Sequence, residues 1–330
     1  MTKKNKMFRI LLAALLLVVG GFIIYHVYDF LFVKINTYNV KSILEENKKF
    51  LFTAEFDFEK SSLYICDPLK DTYELRFASK EYSIKYFCVD EDIIYFTGKK
   101  DNGFDIIKLI GNKEEVIASI ECQYVYGIGK NNNKLFIVEG DADTVEIYYL
   151  DLNTSEVVKY CDISFYSDQG CNPVFCSDGD IIIYGKEKSD FYQNMVYLIK
   201  DGEVIPVTYA YSVYKYEGKL FGDFNVGEIS ESGNVKQFRI FTGYYDFDTK
   251  KPIRDKKHGK FLNRFYFDIS KDNKYGLGYG GMTKYKFSLG DPPDFYSNRS
   301  LAVNNLKTGK VALVKCLVGK TNDVCCWRWL

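Results

Sequence analysis

Carboxylates are the main reactive groups this chain offers. Only two histidines occur, His26 and His258, so a histidine-dependent nucleophilic site would rest on His258 alone. No G-x-S-x-G, P-loop or H-E-x-x-H pattern is present. The nine cysteines contain no C-x-x-C pair, so a structural zinc site is not expected, nor any other metal or cofactor. Asp141-Ala-Asp143 begins like a calcium loop but lacks the Gly and terminal Glu at the required offsets, and reads as a turn. What remains is paired-carboxylate chemistry on a glycosidic bond. Its two acids can come from distant segments and leave no local motif.

The second set of candidates concerns recognition. Phe165, Tyr166, Phe191, Tyr192, Tyr285, Phe287, Phe295 and Tyr296 sit in polar stretches broken by Gly, Pro, Asp and Asn. Rings held there could stack on sugars or anchor a protein partner. The competing reading, strongest for the phenylalanines, folds them back onto the scaffold. Gly290-Asp-Pro-Pro-Asp-Phe-Tyr296 is a stiff turn that would hold Phe295 and Tyr296. Arg254, Lys256, Lys257 and His258, with Lys250, Lys251, Lys260 and Arg264 around them, form the strongest basic cluster past the N-terminal region. It suits an anionic polymer or lipid surface, or is simply a solvated loop.

The elements that must position these residues are strands. The 28 Tyr and 26 Phe favour pleated, half-buried surfaces. From Phe50 onward the apolar runs are short and bounded by Gly, Asp or Asn. Asp151-Leu-Asn-Thr-Ser-Glu-Val157 lines up with Asp246–Pro252 and Asn305–Val311, and more weakly with Thr72–Leu75, Lys113–Val116 and Lys200–Val204. The copies end 41, 41, 47, 48 and 59 residues apart. That is the period of four-stranded propeller blades. The expected fold is therefore an all-β six-bladed β-propeller, with seven blades as the alternative. Three strands at residues 50–78 lack a fourth, and Val324–Leu330 is an orphan that would close the ring as the innermost strand of blade 1.

Ser177-Asp-Gly-Asp-Ile-Ile-Ile-Tyr184 and Ser270-Lys-Asp-Asn-Lys-Tyr-Gly-Leu277 resemble the S-x-D-G-K-hydrophobic turn of TolB-like six-bladed propellers. Ile94-Tyr-Phe-Thr97 is similar to the YWTD signature of receptor-type propellers, with Phe for Trp and Gly98 for Asp. The resemblance spans roughly residues 50–330 and implies an extracytoplasmic interaction or ligand-binding role. It transfers no catalytic residue. The G-H…W-D signature of another propeller class is absent.

Strand alternation puts the A–B and C–D turns on one face and the B–C and D–A loops on the other. The long connections, Asp162–Asn172, Lys186–Asn194, Asn225–Gln237, Arg254–Asn263 and Gly280–Arg299, all fall in the second set. That confinement points to a binding face.

Residues 10–28 are apolar apart from His26, Gly20 and Gly21, long enough for a membrane span. Lys3, Lys4, Lys6 and Arg9 before them predict a cytoplasmic N-terminus and export of the rest. The expected layout is a tail (1–9), a transmembrane signal-anchor (10–28), a juxtamembrane linker (29–49) and an extracytoplasmic propeller (50–330). A cleaved signal peptide is the alternative, against which no A-x-A-like site follows the first apolar run. Of 44 basic and 44 acidic residues, five basic and one acidic precede residue 35. The remainder is mildly acidic and has no electrostatic reason to bind nucleic acid. Export would permit disulfides. Cys161–Cys171 and Cys316 with Cys325 or Cys326 are the pairs to test, against a reading of most cysteines as small buried hydrophobes.

These readings converge on a single-pass membrane protein whose exported propeller binds a protein or cell-envelope glycan partner without catalysis. The alternative is a carbohydrate-processing enzyme using carboxylates near the propeller channel.

Overall fold

The computed structural model describes residues 15–24, 39–56, 60–100, 102–140, 144–164, 173–176, 178–186, 194–216, 218–229, 235–255, 266–285, 295–308, 310–317 and 324–330. Strands dominate from Phe50 onward. The chain opens with β1 (Phe50–Ala54), β2 (Ser62–Asp67) and β3 (Thr72–Phe77), followed by β4 (Ile84–Asp90), β5 (Ile93–Lys100), β6 (Gly103–Ile110) and β7 (Lys113–Ile120). Next come β8 (Tyr124–Asn131), β9 (Lys134–Gly140), β10 (Thr144–Asp151) and β11 (Val157–Ser164). The middle of the chain holds β12 (Val174–Phe175), β13 (Ile181–Lys186), β14 (Asn194–Lys200), β15 (Glu203–Tyr216), β16 (Lys219–Ile229), β17 (Val235–Asp246) and β18 (Lys251–Arg254). The last are β19 (Tyr266–Ile269), β20 (Tyr275–Tyr285), β21 (Phe295–Asn305), β22 (Val311–Leu313) and β23 (Val324–Trp329).

These strands build six antiparallel blades. Blades 2, 3 and 6 are the sheets β4–β7, β8–β11 and β19–β22, each in chain order. Blade 1 has the order β23-β1-β2-β3, so the last strand supplies the innermost position, with Phe50 opposite Trp329 and Phe52 opposite Trp327. Blades 4 and 5 share a seven-stranded sheet, because β15 passes unbroken from the outer strand of one to the inner strand of the next. Two separate strands are expected there from sequence. Thr208–Tyr211 contains no Gly, Pro, Asp or Asn to stop the chain, so a register irregularity between Ala210 and Ser212 serves instead of a loop. Pro252 lies on β18 at the outer edge of blade 5, where a missing N–H leaves no ladder bond unmade.

An apolar cluster fills each seam between neighbouring blades. In the 1–2 seam Leu51, Leu63 and Cys326 meet Ile84, Phe87 and Phe96. Val138, Val145 and Ile147 meet Ile181 and Ile183 in the 3–4 seam. The 6–1 seam is the largest described. There Trp327 and Trp329 are buried with Phe50, Phe52, Tyr275, Leu277 and Val303. Burying aromatic side chains of this size contributes roughly 2–3 kcal/mol each. The closing strand is thus held by hydrophobic burial as well as by its ladder.

The two faces differ as expected. Among the described residues, the non-glycine positions with positive φ are Asp71, Glu91, Asn132, Ser155, Asp201, Lys250 and Asn273. All seven lie in A–B or C–D turns, where a tight connection needs a left-handed residue. Asp151 shows the local reason. Its Oδ1 accepts from the backbone N–H of Asn153 at 2.8 Å and of Thr154 at 3.3 Å, shaping the β10–β11 turn.

On the other face, the described residues of Asn225–Gln237 and Gly280–Arg299 are continued strand rather than irregular loop. From Asn225↔Ile240 to Ile229↔Val235, and from Tyr279↔Leu301 to Tyr285↔Phe295, the hairpins β16–β17 and β20–β21 run on as ladders. Among the described residues neither stretch has a third strand beside it. At about 3.4 Å per residue, these two ribbons reach on the order of 15–20 Å past their blades.

Residues 39–49, within the expected juxtamembrane linker, dock on the turn face. A 3-10 turn at Val40–Ser42 leads into Ile43 and Leu44, buried in the 6–1 seam. The Glu45 N–H donates to the Tyr275 hydroxyl at 3.0 Å, Asn305 Nδ2 donates to the Ile43 carbonyl at 3.3 Å, and Lys48 pairs with Asp272 at 2.9 Å. Three buried apolar side chains, Val40, Ile43 and Leu44, together with these polar ties hold the stretch on the disc. Of the expected membrane span, residues 15–24 are helical with Leu15, Leu16, Leu17, Phe22 and Ile24 exposed, and the remainder lies outside the described residues. Among the described residues, no helix is long and apolar enough to cross a membrane.

Candidate functional site

The candidate residues of the long-connection face fall into two groups. Phe165, Tyr166, Phe191, Tyr192, Phe287, Lys256, Lys257 and His258 lie outside the described residues. The others stand on strands. Arg254 is the last residue of β18, exposed and opposite Gly243. Tyr285 stands directly opposite Phe295 at the described end of the β20–β21 ribbon, and Tyr296 stands opposite Lys284. The ribbon therefore brings three aromatic residues into two consecutive rungs, a clustering that separate loop residues would not imply.

The turn face carries a concavity that sequence reasoning did not single out. The C-terminal ends of the inner strands converge around the channel and enclose a cavity of about 210 Å³. Its wall includes Cys88 and Val89 of β4, Lys130 of β8, Phe175 of β12, Lys215 of β15, Asp268 of β19, and Arg328 and Trp329 of β23. All six blades contribute. A second, more polar cleft of about 440 Å³ lies between blades 3 and 4 on the same face, among Asn131, Asp151, Asn153, Asp178 and Lys200.

Polar ties at the channel mouth cross alternate seams. Lys130 Nζ is 2.8 Å from Asp90 across the 2–3 seam. Lys215 of blade 5 pairs with Asp178 and, at 2.5 Å, with Asp180 of blade 4. Asp268 Oδ2 accepts the Trp329 backbone N–H at 2.6 Å across the 6–1 seam. Burial works against the charges of Lys215 and Asp178, but their hydrogen bonds and charge attraction, with Asp180 adding to both for Lys215, together outweigh it, so the ammonium is held above and the carboxyl below its usual range.

Asp268 differs. Burial pushes its carboxyl up to about 6, and the Arg328 guanidinium and the Trp329 N–H only partly offset this. It can therefore be a hydrogen-bond donor in mildly acidic surroundings and an acceptor above that. Asp178 is held charged by the Lys215 ammonium, so among the mouth carboxyls with resolved shifts Asp268 is the one poised to change protonation state near neutrality. Among the described residues, no group of three or more His, Cys, Asp or Glu is placed to hold a metal ion. A usable sequence signal for the mouth did exist, namely charged residues near the ends of the expected inner strands.

The described cysteines are free. Cys171 lies outside the described residues, so Cys161–Cys171 lies outside what the structure describes. Cys326 does not approach Cys316. It packs in the 1–2 seam, whereas Cys316 sits against the 6–1 seam. Strand alternation on β23 decides this, because Cys326 faces away from the blade 6 side that Trp327 and Trp329 cover.

No family model matches the chain, and no curated protein matches it. Solved structures do. TolB from Acinetobacter baumannii is 14% identical over 88% of this chain and 68% of its own, with a TM-score of 0.50. A chain of the nidogen/laminin complex is 11% identical, covering 85% of this chain and 98% of that one, with a TM-score of 0.49. Oligogalacturonate lyase in complex with manganese is 14% identical, covering 84% and 75%, with a TM-score of 0.46. Identities this low speak to fold alone. In fold, the chain is a six-bladed β-propeller similar to TolB.

Proposed function

We propose that this protein is an extracytoplasmic binding or scaffold propeller that engages a protein or cell-envelope glycan through its B–C and D–A face. An apolar segment over residues 10–28 tethers it to the membrane, with the N-terminus cytoplasmic. The observation that carries the reading is the placement of the two ribbons. They project from the face opposite the one where residues 39–49 dock and where β1 begins. A tether entering on the turn face leaves the ribbon face pointing away from the bilayer, where a partner can reach it. Aromatic residues paired at the described end of the β20–β21 ribbon suit stacking on a sugar or insertion into a protein pocket.

The test is a pull-down from cell envelopes using the intact chain and a variant with Gly280–Arg299 shortened to a tight turn. Retention of a partner by the intact chain and its loss from the variant are expected; equal retention by both would overturn the assignment to this face. Asp268, with a carboxyl that titrates near neutrality, supports a second reading, carboxylate chemistry on a glycan at the channel. Product release from envelope glycans by the intact chain, abolished by Asp268→Asn, would replace the binding reading with that one.

A further inference from the structure

We propose that Cys66 and Cys316 form a disulfide that staples the seam where the propeller ring closes. Cys66 lies on β2 of blade 1, fully buried in the 6–1 seam. Cys316 lies in the 3-10 turn Lys315–Leu317 that follows β22, the outer strand of blade 6, and packs against the same cluster. A second contact fixes its place. The Cys316 backbone N–H donates at 2.9 Å to Oδ1 of Asp71, in the β2–β3 turn of blade 1. That turn is held tight by the left-handed backbone of Asp71, with φ of 58°.

Asp71 thereby holds Cys316 against the blade 1 hairpin that carries Cys66, and the two thiols share a hydrogen bond. The Cys66 thiol donates a hydrogen bond to the Cys316 sulfur, which is the leading cause holding the Cys316 thiol below its usual range; the same bond and burial raise Cys66. The pair is thus asymmetric. Cys316 is half-buried and its thiol is the one held low, whereas Cys66 is buried. A more accessible sulfur paired with a buried resolving one is the arrangement that thiol–disulfide exchange requires.

The oxidant is a disulfide, RSSR. The Cys316 thiolate attacks one of its sulfurs, the RS–SR bond breaks, and the departing RS⁻ takes up a proton. Cys66 then loses its proton and attacks the Cys316 sulfur, forming the Cys66–Cys316 bond and displacing the second RSH. Two protein thiols are oxidised and one RSSR is reduced to two RSH. The link encloses nearly the whole propeller, so it restricts the unfolded chain strongly. It also ties blade 6 to blade 1 independently of β23.

The full chain is incubated with oxidised glutathione, its remaining thiols are alkylated, and peptides are mapped by mass spectrometry without reduction. The expected product is a Cys66–Cys316 cross-linked peptide two hydrogens lighter than its parts, with a melting temperature several degrees higher that reverts on reduction. Cys316→Ser should abolish both changes, and in Cys66→Ser a glutathione adduct should persist on Cys316. Pairing of Cys316 with Cys325 or Cys326, or both thiols remaining free to alkylate, would overturn the assignment. A correct link with no rise in melting temperature would overturn the staple. The chemistry is read on purified protein, so its outcome does not depend on export or on the binding face.

Discussion

Replacing Asp268 by Asn keeps an acceptor for the Trp329 N–H and removes the charge. The carboxyl is pushed up from 3.8 to about 6 in the folded chain. A carboxyl whose folded pKa is raised adds stability below its unfolded pKa, and that contribution is lost as pH rises through the folded value. Ionised Asp268 therefore destabilises the propeller at neutral pH. That displacement corresponds to roughly 3 kcal/mol. Asp268 is only half-buried, and solvent screening lowers this to about 1–3 kcal/mol. Asp272 works in the opposite direction. Burial opposes its charge, but hydrogen bonds from Ser270 and Lys48 bring it down to about 2, so its contribution is present above about pH 4 and disappears only as pH falls towards 2. The comparison must therefore be the difference between variant and wild type, measured by calorimetry or circular dichroism from pH 4 to 8. Asp268→Asn should melt at the wild-type temperature near pH 4 and about 2–6 °C higher at pH 7.5, taking about 2 °C per kcal/mol for a domain of this size. A difference that does not change with pH, or a variant less stable at pH 7.5, would refute the burial argument.

Two further outcomes follow from the architecture. Removing residues 324–330 should leave no cooperative melting transition, because it exposes the inner edge of blade 1 and deletes Trp327 and Trp329 from the 6–1 seam; an unchanged melting curve would contradict closure by β23. Lys215→Ala should cost about 3 kcal/mol in urea unfolding, since it strands Asp180, which is 8% exposed, without its cation, and Asp180→Asn in the same background should recover part of the loss.

The blades were legible in the sequence because their determinants are local. Alternating apolar positions, breakers at the turns and a repeat spacing of 41 to 59 residues each depend on neighbours in the chain. The ribbons were less legible. Gly280-Gly281 opens the expected loop Gly280–Arg299, yet the two pair with Ser300 and Arg299 and the ladder runs on to Tyr285 opposite Phe295. Glycine weakens a strand without forbidding one, and a cross-strand partner is what tips the balance.

By itself the sequence determined the all-β class, the four-stranded unit and the need for Val324–Leu330 to close the ring, since an orphan strand and an incomplete blade are visible without coordinates. Only the tertiary structure decided what meets across the seams. Asp268 and Trp329, Lys215 and Asp180, Cys66 and Cys316, and Leu44 with the closing blades belong to segments far apart in sequence or in different blades. Their contacts depend on the rotation and stagger of one sheet against the next. Side-chain burial in the seams sets that geometry, and no single segment encodes it.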